Sequence, residues 1–422
     1  MSIFFFNNKN YQKETIFYII LYLTLIISFI FGENSTGGAF IDYANSKKAV
    51  QSFASEFLNT FYEYDTFRTR HSPVIKIFLS IFERINIPDF FIRLIHLHLC
   101  LLLPIFFYKC LSIKYSEIDK KIFLLLSALI FLSPTFRTLA IWPDSRLLGL
   151  ILFTLSIYYF LKFENNKIFK YAIYNIITLS LSAYMSPNFS VFAVFFMLRF
   201  ISNYGFFSKK ILFLIFLNFL LALPAFYYIF IIGVNFFLQS AAVGMEDKDS
   251  IFFNNLFNDT LITFSIIFFY LTPFILFKVI KLEYFLNIKN FIVSTSIFLI
   301  CLINFDYVYS YTGGGFFFKL SNFIFGNNYL FYIVSFLATL IVCSLITKSY
   351  LNILLFVLII LNNPQYTIYH KYFDPFLLIT FFTIFLFNID LNKISEKKNY
   401  LFIFTYFLGF LLLSNLKLVL IN

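Results

Sequence analysis

The sequence predicts an all-α, polytopic membrane protein, and three features of its 422 residues lead to that prediction. Hydrophobic residues make up 60% of the chain and charged residues 13%, whereas soluble domains are near half apolar and a quarter charged. The mean hydropathy is +0.84. Apolar segments near the length of a helical span recur along the whole chain. These features exclude a soluble domain, and they exclude a disordered chain, which needs few apolar and many charged residues.

Thirteen apolar segments can be marked, and we predict eleven to thirteen helical spans from them. They are expected to form a single transmembrane domain over residues 1–422, with no soluble domain at the C-terminal end. The segments are 15–32, 88–108, 121–136, 141–161, 171–186, 188–204, 211–232, 259–279, 291–305, 329–347, 350–362, 373–389 and 400–419.

Basic residues in the connections predict an N-in, C-out orientation, because cytoplasmic loops are enriched in Lys and Arg. With the N-terminus inside, the inner side holds 19 of the 32 basic residues. The formal net charge of +11 is therefore attributed to inner loops and not to nucleic-acid binding. The inner basic residues are Lys9, Lys13, Lys109, Lys114, Lys120, Lys121, Lys162, Lys167, Lys170, Arg199, Lys209, Lys210, Lys278, Lys281, Lys289, Lys348, Lys393, Lys397 and Lys398.

The first outer loop, residues 33–87, is predicted to contain two interfacial helices. One follows a stripe of apolar residues at helical spacing, with polar residues between them. A second helix is expected to begin at Ser72–Pro73, with Ser as the N-cap and Pro at the first helical position, and to run toward Pro88. The stripe consists of Val50, Phe53, Ala54, Phe57, Leu58 and Phe61.

Two places in this loop carry charges that favour proton transfer or anion binding. Asp42 follows the first span in an apolar setting that suits a general base; the alternative is a solvated aspartate that caps a helix starting near Asn45. Arg70 and His71 directly precede the second helix, where guanidinium and backbone N–H groups suit phosphate oxygens. For these two residues the alternative is attraction to anionic lipid headgroups.

Further charges lie at predicted outer ends of spans, where ionisable residues are costly and therefore candidates for function. Arg137, Asp144 and Arg146 flank a short turn beside the only Trp of the chain. They suit a binding site, or an Arg–Asp pair that anchors a helix end. His370 and Lys371 suit contact with an anion, or an interfacial aromatic belt with a snorkelling lysine.

These segments resemble the GT-C superfamily of membrane glycosyltransferases, and most of all its branch of protein mannosyltransferases and lipid A aminoarabinose transferases. The sequence Arg70-His71-Ser72-Pro73-Val74 resembles the basic–Pro segment that ends the first outer loop of that branch. The sequence Trp142-Pro143-Asp144-Ser145-Arg146-Leu147-Leu148 resembles the segment that opens its fourth span. His370-Lys371-Tyr372-Phe373 resembles its late basic–aromatic segment. The long first loop and an acid soon after the first span are similar as well.

The resemblance implies transfer of a sugar from a polyprenyl-phosphate donor. Asp42 would deprotonate an acceptor hydroxyl, which attacks the anomeric carbon with inversion, while fixed cations stabilise the leaving phosphate. Many members carry an Asp-Glu pair in the first loop, whereas Tyr43 follows Asp42 here, so a second acid is not assigned. The residues implied to bind substrate are Arg70, His71, Arg137, Asp144, Arg146, His370, Lys371 and Tyr372.

The implied partners are a polyprenyl-phosphate-linked sugar, a glycan, lipid or protein acceptor, and membrane lipids. No cofactor is expected, and the need for a divalent metal stays open because some relatives bind one. We expect a bacterial inner membrane, with the active site facing the periplasm.

One alternative function is that of an O-antigen polymerase or ligase, which usually carries its largest outer loop late in the chain. The other is a lipid-linked oligosaccharide flippase, which would favour paired repeats and broken mid-membrane helices.

Overall fold

The structure is a computed structural model that describes residues 12–67, 69, 71–234, 255–283, 285, 287–308, 313–346, 349–363 and 367–421. Within these ranges the chain is helical, and one isolated antiparallel bridge joins Ile280 to Ile389. The prediction of an all-α fold is therefore confirmed. The chain divides into two compact units, Met1–Gly244 with Phe407–Asn422, and Met245–Tyr406. This division does not test the expected single transmembrane domain, which stays a prediction.

The first unit is built around one long helix, α9, which packs along α10 and α6. The close approach of α10 requires Gly149, because a Cβ atom there would lie 2.8 Å from Cβ of Ser186. The hydroxyl of Ser182 donates to the Gly149 carbonyl at 2.7 Å. The helices of this unit are α1 (Gln12–Phe31), α2 (Ala39–Ser55), α3 (Phe57–Tyr62), α4 (Val74–Arg84), α5 (Asp89–Cys100), α6 (Leu102–Lys114), α7 (Lys120–Ala128), α8 (Pro134–Ile141), α9 (Ser145–Asn166), α10 (Phe169–Met185), α11 (Ala193–Tyr204) and α12 (Lys209–Phe226).

The second unit has α13 at its centre, packed against α14, α15 and α16. Gly313 and Gly314 precede α15, and a side chain at Gly313 would collide with the Tyr307 hydroxyl. The last helix, α20, begins in this unit, and its residues from Phe407 onward belong to the first. The helices are α13 (Leu256–Leu276), α14 (Ile288–Ile303), α15 (Gly315–Phe325), α16 (Tyr329–Ile346), α17 (Tyr350–Leu361), α18 (Phe376–Thr383), α19 (Asn392–Ser395) and α20 (Lys397–Ile421).

Seven helices in the described ranges are long and apolar enough to cross a membrane. An eighth span results if α7 and α8, which meet at a bend of 67°, are counted as one. The apolar helices α14, α15 and α17 have only 10–17 residues. The predicted eleven to thirteen spans are therefore not confirmed. The seven candidates are Lys13–Phe31, Asp89–Lys114, Ser145–Asn166, Lys209–Ile231, Leu256–Leu276, Tyr329–Ile346 and Lys397–Lys417.

Helices form in the first loop as predicted, but the first of them has different bounds. It begins at Ala39 and not near Asn45, and it ends at Ser55, where the Ser55 hydroxyl bonds back to the carbonyls of Gln51 and Ser52. Such bonds compete with the helical ladder, and Glu56 leaves the helical conformation. The apolar stripe is therefore interrupted: Val50 and Phe53 are buried, whereas Phe57 and Leu58 are exposed.

The second helix of the loop forms where it was predicted but begins one residue later, with Pro73 and not Ser72 as the N-cap. Helix α4 begins at Val74, whose backbone N–H donates to the Ser72 hydroxyl at 3.3 Å. Helix α4 packs against α2, and four of its residues are buried: Ile75, Lys76, Leu79 and Ser80. A lysine is therefore enclosed together with apolar side chains on the inner face of an amphipathic helix.

Candidate functional site

Arg137 forms a buried ion pair with Glu33 in the first unit. The guanidinium Nε donates to the two Glu33 carboxylate oxygens at 2.9 and 3.1 Å, and Nη2 lies 2.8 Å from Oε2. The side chains of Arg137 and Glu33 are only 6% and 10% exposed. Burial raises the pKa of Glu33, but the hydrogen bonds and charge of Arg137 outweigh it and hold the pKa below its usual value.

The other guanidinium contacts of Arg137 also go to the chain. Nη1 donates to the Thr24 hydroxyl and the Phe131 carbonyl, and Nη2 donates to the Thr24 carbonyl and the Ser28 hydroxyl. The expected place of Arg137 in a short outer turn is wrong, because Ser133 caps a buried helix there, α8, with Pro134 in its first turn. Arg137 therefore ties α8 to α1. Its predicted role in substrate binding stays a prediction.

A second group, of ionisable residues, lies near the start of α9. His71 lies close enough to four charged side chains for their fields to act on its titration. Four of the five residues were predicted as site residues from the sequence, and the fifth was not. This group, called the α9 cluster below, consists of Asp42, His71, Lys76, Asp144 and Arg146.

Lys76 is the member that sequence reasoning missed. Its side chain is 2% exposed, and its ammonium donates to the Tyr64 hydroxyl at 2.6 Å and lies 5.3 Å from the centre of that ring. The Tyr64 hydroxyl in turn donates to the backbone carbonyl of His71 at 2.8 Å. Burial lowers the pKa of Lys76 to about 8, and Asp144 opposes this shift. Lys76 is therefore a cation at pH 7 that loses its charge in mildly alkaline solution.

His71 is half-buried and is mostly neutral at pH 7. Burial lowers the pKa of its imidazole to about 4; Asp144 acts to raise this pKa, and the cations Lys76 and Arg146 act to lower it. A neutral imidazole can donate and accept one hydrogen bond each. It therefore offers hydrogen bonds in place of the fixed positive charge that the sequence suggested.

Both carboxylates of the α9 cluster lie at helix N-termini, where negative charge is stabilised. Asp144 is the N-cap of α9 and accepts a hydrogen bond from the Arg146 backbone N–H at 2.7 Å. Asp42 belongs to the first turn of α2 and is half-buried. The alternative of Asp42 as a cap of a helix starting near Asn45 is wrong, because α2 already begins at Ala39.

Asp89, the first residue of α5, holds the helix that carries Asp42. It accepts a hydrogen bond from the Tyr43 hydroxyl at 2.6 Å and an ion pair from the Lys47 ammonium at 2.8 Å. Tyr43 and Lys47 are one turn apart on α2. One carboxylate therefore holds α2 at two positions: at Tyr43, directly after Asp42, and at Lys47, one helical turn further along.

The only Trp of the chain packs beside this anchor. The Arg93 guanidinium lies 3.7 Å from the centre of the Trp142 ring, and Phe40 packs edge-on against it at 4.9 Å. The Trp142 indole N–H donates to the Glu33 carbonyl at 3.0 Å. Trp142 therefore links α2 and α5 to the residues around the Glu33–Arg137 pair.

Asp89→Ala is expected to loosen α2 without unfolding the protein. It removes a hydrogen bond to a charged group, worth about 1.5–3 kcal/mol, and an ion pair that is partly exposed and worth at most about 1 kcal/mol. Hydrogen exchange should become faster at the amides of α2 and stay unchanged in α10. Lys47→Ala is the matched control and should have the smaller effect, because it keeps the Tyr43 bond. Equal exchange in Asp89→Ala and wild type would show that Asp89 does not hold α2.

His370, Lys371 and Tyr372 lie in the second unit, in one short 3-10 helix. The Tyr270 hydroxyl donates to Asp374 at 2.7 Å and lies 3.1 Å from Nε2 of His370. Burial lowers the pKa of His370 to about 3, and the charge of Lys319 lowers it further. His370 is therefore neutral at pH 7 and offers hydrogen bonds in place of charge.

The two residues that follow His370 lie close to the ring of Tyr369. The Lys371 ammonium lies 5.1 Å from the Tyr369 ring, and the Tyr372 ring lies 5.7 Å from the same ring. This agrees with the aromatic-belt alternative for the segment. The predicted part of these residues in substrate binding stays a prediction, and Arg70 lies outside the described residues.

Comparison with known proteins found no relative of this chain. No family model, curated protein or solved structure matches this chain. Among the residues that the structure describes, no three His, Cys, Asp or Glu side chains are grouped as metal ligands would be. The seven helices of the described ranges that are long and apolar enough to cross a membrane make this chain a helical membrane protein.

Proposed function

We propose that this protein transfers a sugar from a polyprenyl-phosphate donor to an acceptor hydroxyl. The observation that carries the proposal is the α9 cluster, in which two carboxylates and two basic side chains act electrostatically on His71 near the start of one candidate span. Carboxylates suit proton removal from an acceptor, and cations suit a leaving phosphate. The sequence resemblance to GT-C enzymes suggests the same combination.

In the proposed reaction Asp42 takes the proton of the acceptor hydroxyl. The acceptor oxygen forms a bond to the anomeric carbon while the bond from that carbon to the phosphate oxygen breaks, and the polyprenyl phosphate leaves with the electron pair. Lys76 and Arg146 are proposed to stabilise its charge, and His71 to donate a hydrogen bond. Asp144 would orient a sugar hydroxyl. Arg137 is the least suited of the predicted ligands, because its guanidinium is already bound by Glu33, Thr24, Ser28 and Phe131.

The reaction is proposed to take place at the outer face of a bacterial inner membrane. The N-in orientation, eleven to thirteen spans, and interfacial positions for α2 and α4 belong to this proposal. It is supported by the distribution of basic residues, and by the amphipathic face of α4. Transfer at the interface would leave the polyprenyl chain in lipid, beside exposed apolar helices such as α12.

Reconstituted wild-type protein tests the proposal. Vesicles that contain the protein are given radiolabelled polyprenyl-phosphate sugars, one sugar at a time, with a mixed extract of envelope lipids and glycans as acceptors. We expect label to move from the donor to an acceptor with at least one sugar. Movement of intact donor across the bilayer without cleavage would instead support a flippase, and joining of lipid-linked repeats would support a polymerase.

Transfer should also weaken in alkaline solution. Because burial lowers the pKa of Lys76 to about 8, the charge that would bind the donor phosphate disappears above that pH. The KM for donor is therefore expected to rise by up to about tenfold between pH 7 and pH 9, as the charged fraction of Lys76 falls. Lys76→Arg keeps its charge over this range, so its KM should stay level. A KM for wild type that is constant over the same range would remove Lys76 from donor binding.

A further inference from the structure

We propose that the opposite end of α9, together with the ends of its neighbours α10, α11 and α12, binds the headgroup of an anionic phospholipid. This surface lies outside the α9 cluster and does not depend on the proposed transfer reaction. We call it the lysine–tyrosine patch. It consists of Lys162, Lys170, Lys210, Tyr158, Tyr171 and Tyr204.

The lysines of the patch are held on aromatic rings. The Lys162 ammonium lies 4.8 Å from the Tyr158 ring and 5.4 Å from the Tyr171 ring, and the Lys170 ammonium shares the Tyr171 ring at 5.9 Å. The Lys210 ammonium lies 4.4 Å from the Tyr204 ring. Cation–π contacts keep charged groups close together without neutralising them.

Two helix connections meet at this surface. The Tyr204 hydroxyl at the end of α11 donates to the Lys167 carbonyl at 3.1 Å. The Lys210 ammonium also lies 5.8 Å from the Phe169 ring at the start of α10. These contacts join the end of α11 and the start of α12 to the connection between α9 and α10.

The charge of this surface is strongly positive. Residues 160–210 contain six basic residues and a single acid, Glu164. Glu164 already binds Arg199 at 2.6 Å and Lys167 at 3.2 Å. The N-termini of α10 and α12 add partial positive charge at the same end. An anion is therefore the ligand that the surface favours.

Apolar neighbours identify the anion as part of a lipid. Phe206 and Phe207 connect α11 to α12 beside Lys210 and are 56% and 86% exposed, and the following turns of α12 expose Leu212 and Phe213. A soluble phosphate gains nothing from such rings, whereas the acyl chains of a phospholipid would cover them. Lysines whose stems lie on apolar surface and whose ammonium groups reach headgroups are typical of membrane interfaces.

The length of α9 agrees with this assignment. Its 22 residues span about 33 Å at the helical rise of 1.5 Å per residue, close to the thickness of the hydrocarbon core. Asp144 caps the first end of the helix, and Glu164 with the patch lies at the other. The patch is therefore in position to meet the headgroup layer opposite the α9 cluster.

The test measures lipid binding to the full-length protein in nanodiscs of phosphatidylcholine with a small fraction of phosphatidylglycerol. The patch variant carries Lys162→Gln, Lys170→Gln and Lys210→Gln. The matched control carries Lys393→Gln, Lys397→Gln and Lys398→Gln, which removes the same charge from another helix start. Native mass spectrometry counts the phosphatidylglycerol molecules that stay bound, and thermal unfolding checks that each variant is folded.

Wild type and the control variant should retain phosphatidylglycerol in preference to phosphatidylcholine. The patch variant should bind it about 10²-fold more weakly, as expected for the loss of three lysines at a charged interface. Retention by the patch variant, or equal loss in both variants, would overturn the proposal. Displacement of the lipid by millimolar inorganic phosphate would also overturn it, because the surface would then bind free anions.

Discussion

Asp42→Asn is expected to lower the rate of sugar transfer by about 10²–10⁴-fold, the contribution that general base catalysis usually makes. The change keeps the size of the side chain and removes only its ability to take a proton. Tyr43 and Lys47, on the same helix, hold α2 to α5 through Asp89, and both are kept in this variant. The KM for donor should therefore change little while kcat falls.

The control for Asp42→Asn is the same substitution at a carboxylate outside the α9 cluster. Asp119 caps α7 by accepting a hydrogen bond from the Lys121 backbone N–H at 3.0 Å, and Asn is as good an N-cap as Asp. Asp119→Asn should therefore keep full activity and stability. Equal activity of Asp42→Asn and wild type would remove Asp42 as the base and make Asp144 the next candidate.

Glu33→Ala is expected to destabilise the protein by about 3–5 kcal/mol, the usual cost of leaving a buried charge without its partner. Arg137 would keep its hydrogen bonds to Thr24 and Ser28 but lose the only carboxylate among its contacts in the described residues. Thermal unfolding in detergent measures the effect. The melting temperature should fall by several degrees or more.

Two further variants show whether charge or shape causes that loss. Glu33→Gln keeps an acceptor for the Arg137 N–H groups and should be more stable than Glu33→Ala, though less stable than wild type. Glu396→Ala removes an exposed ion pair with Lys393 and one hydrogen bond from the Asn399 side chain, which keeps its bond to the Lys393 carbonyl. Exposed pairs contribute little, so its melting temperature should fall much less than that of Glu33→Ala. Similar losses in Glu33→Ala and Glu396→Ala would contradict a special role for the buried pair.

Local signals predicted several elements of the first unit correctly. The Ser72–Pro73 pair indicated the start of α4, and Ser72 indeed accepts the bond from Val74. The apolar segment from residue 141 predicted a span here, and the structure adds that this helix begins at Ser145 with Asp144 as its cap. Such signals are readable because a cap and the amide that it binds are neighbours in the chain. The sequence also predicted that Asp42, His71 and Asp144 lie on the same side of the membrane, because all three were expected at the outer ends of spans.

The partners of charged residues could not be read from the sequence. Arg137 pairs with Glu33, 104 positions earlier, and no local pattern links the two. Lys76 interrupts an apolar run on α4, and a lysine in such a position is usually interpreted as part of the solvent-exposed face of the helix. The packing of α4 on α2 turns that lysine inward instead. Only tertiary packing decides these positions.

The most direct test of the proposed reaction is the anomeric configuration of its product. Purified wild-type protein is given a polyprenyl-phosphate sugar of known configuration, and the linkage formed after a single turnover is determined by NMR. A one-step displacement by an acceptor that Asp42 activates predicts inversion, with one polyprenyl phosphate released for each sugar transferred. Retention of configuration would contradict this account, because it requires a second displacement, and a donor that stays intact would contradict transfer itself.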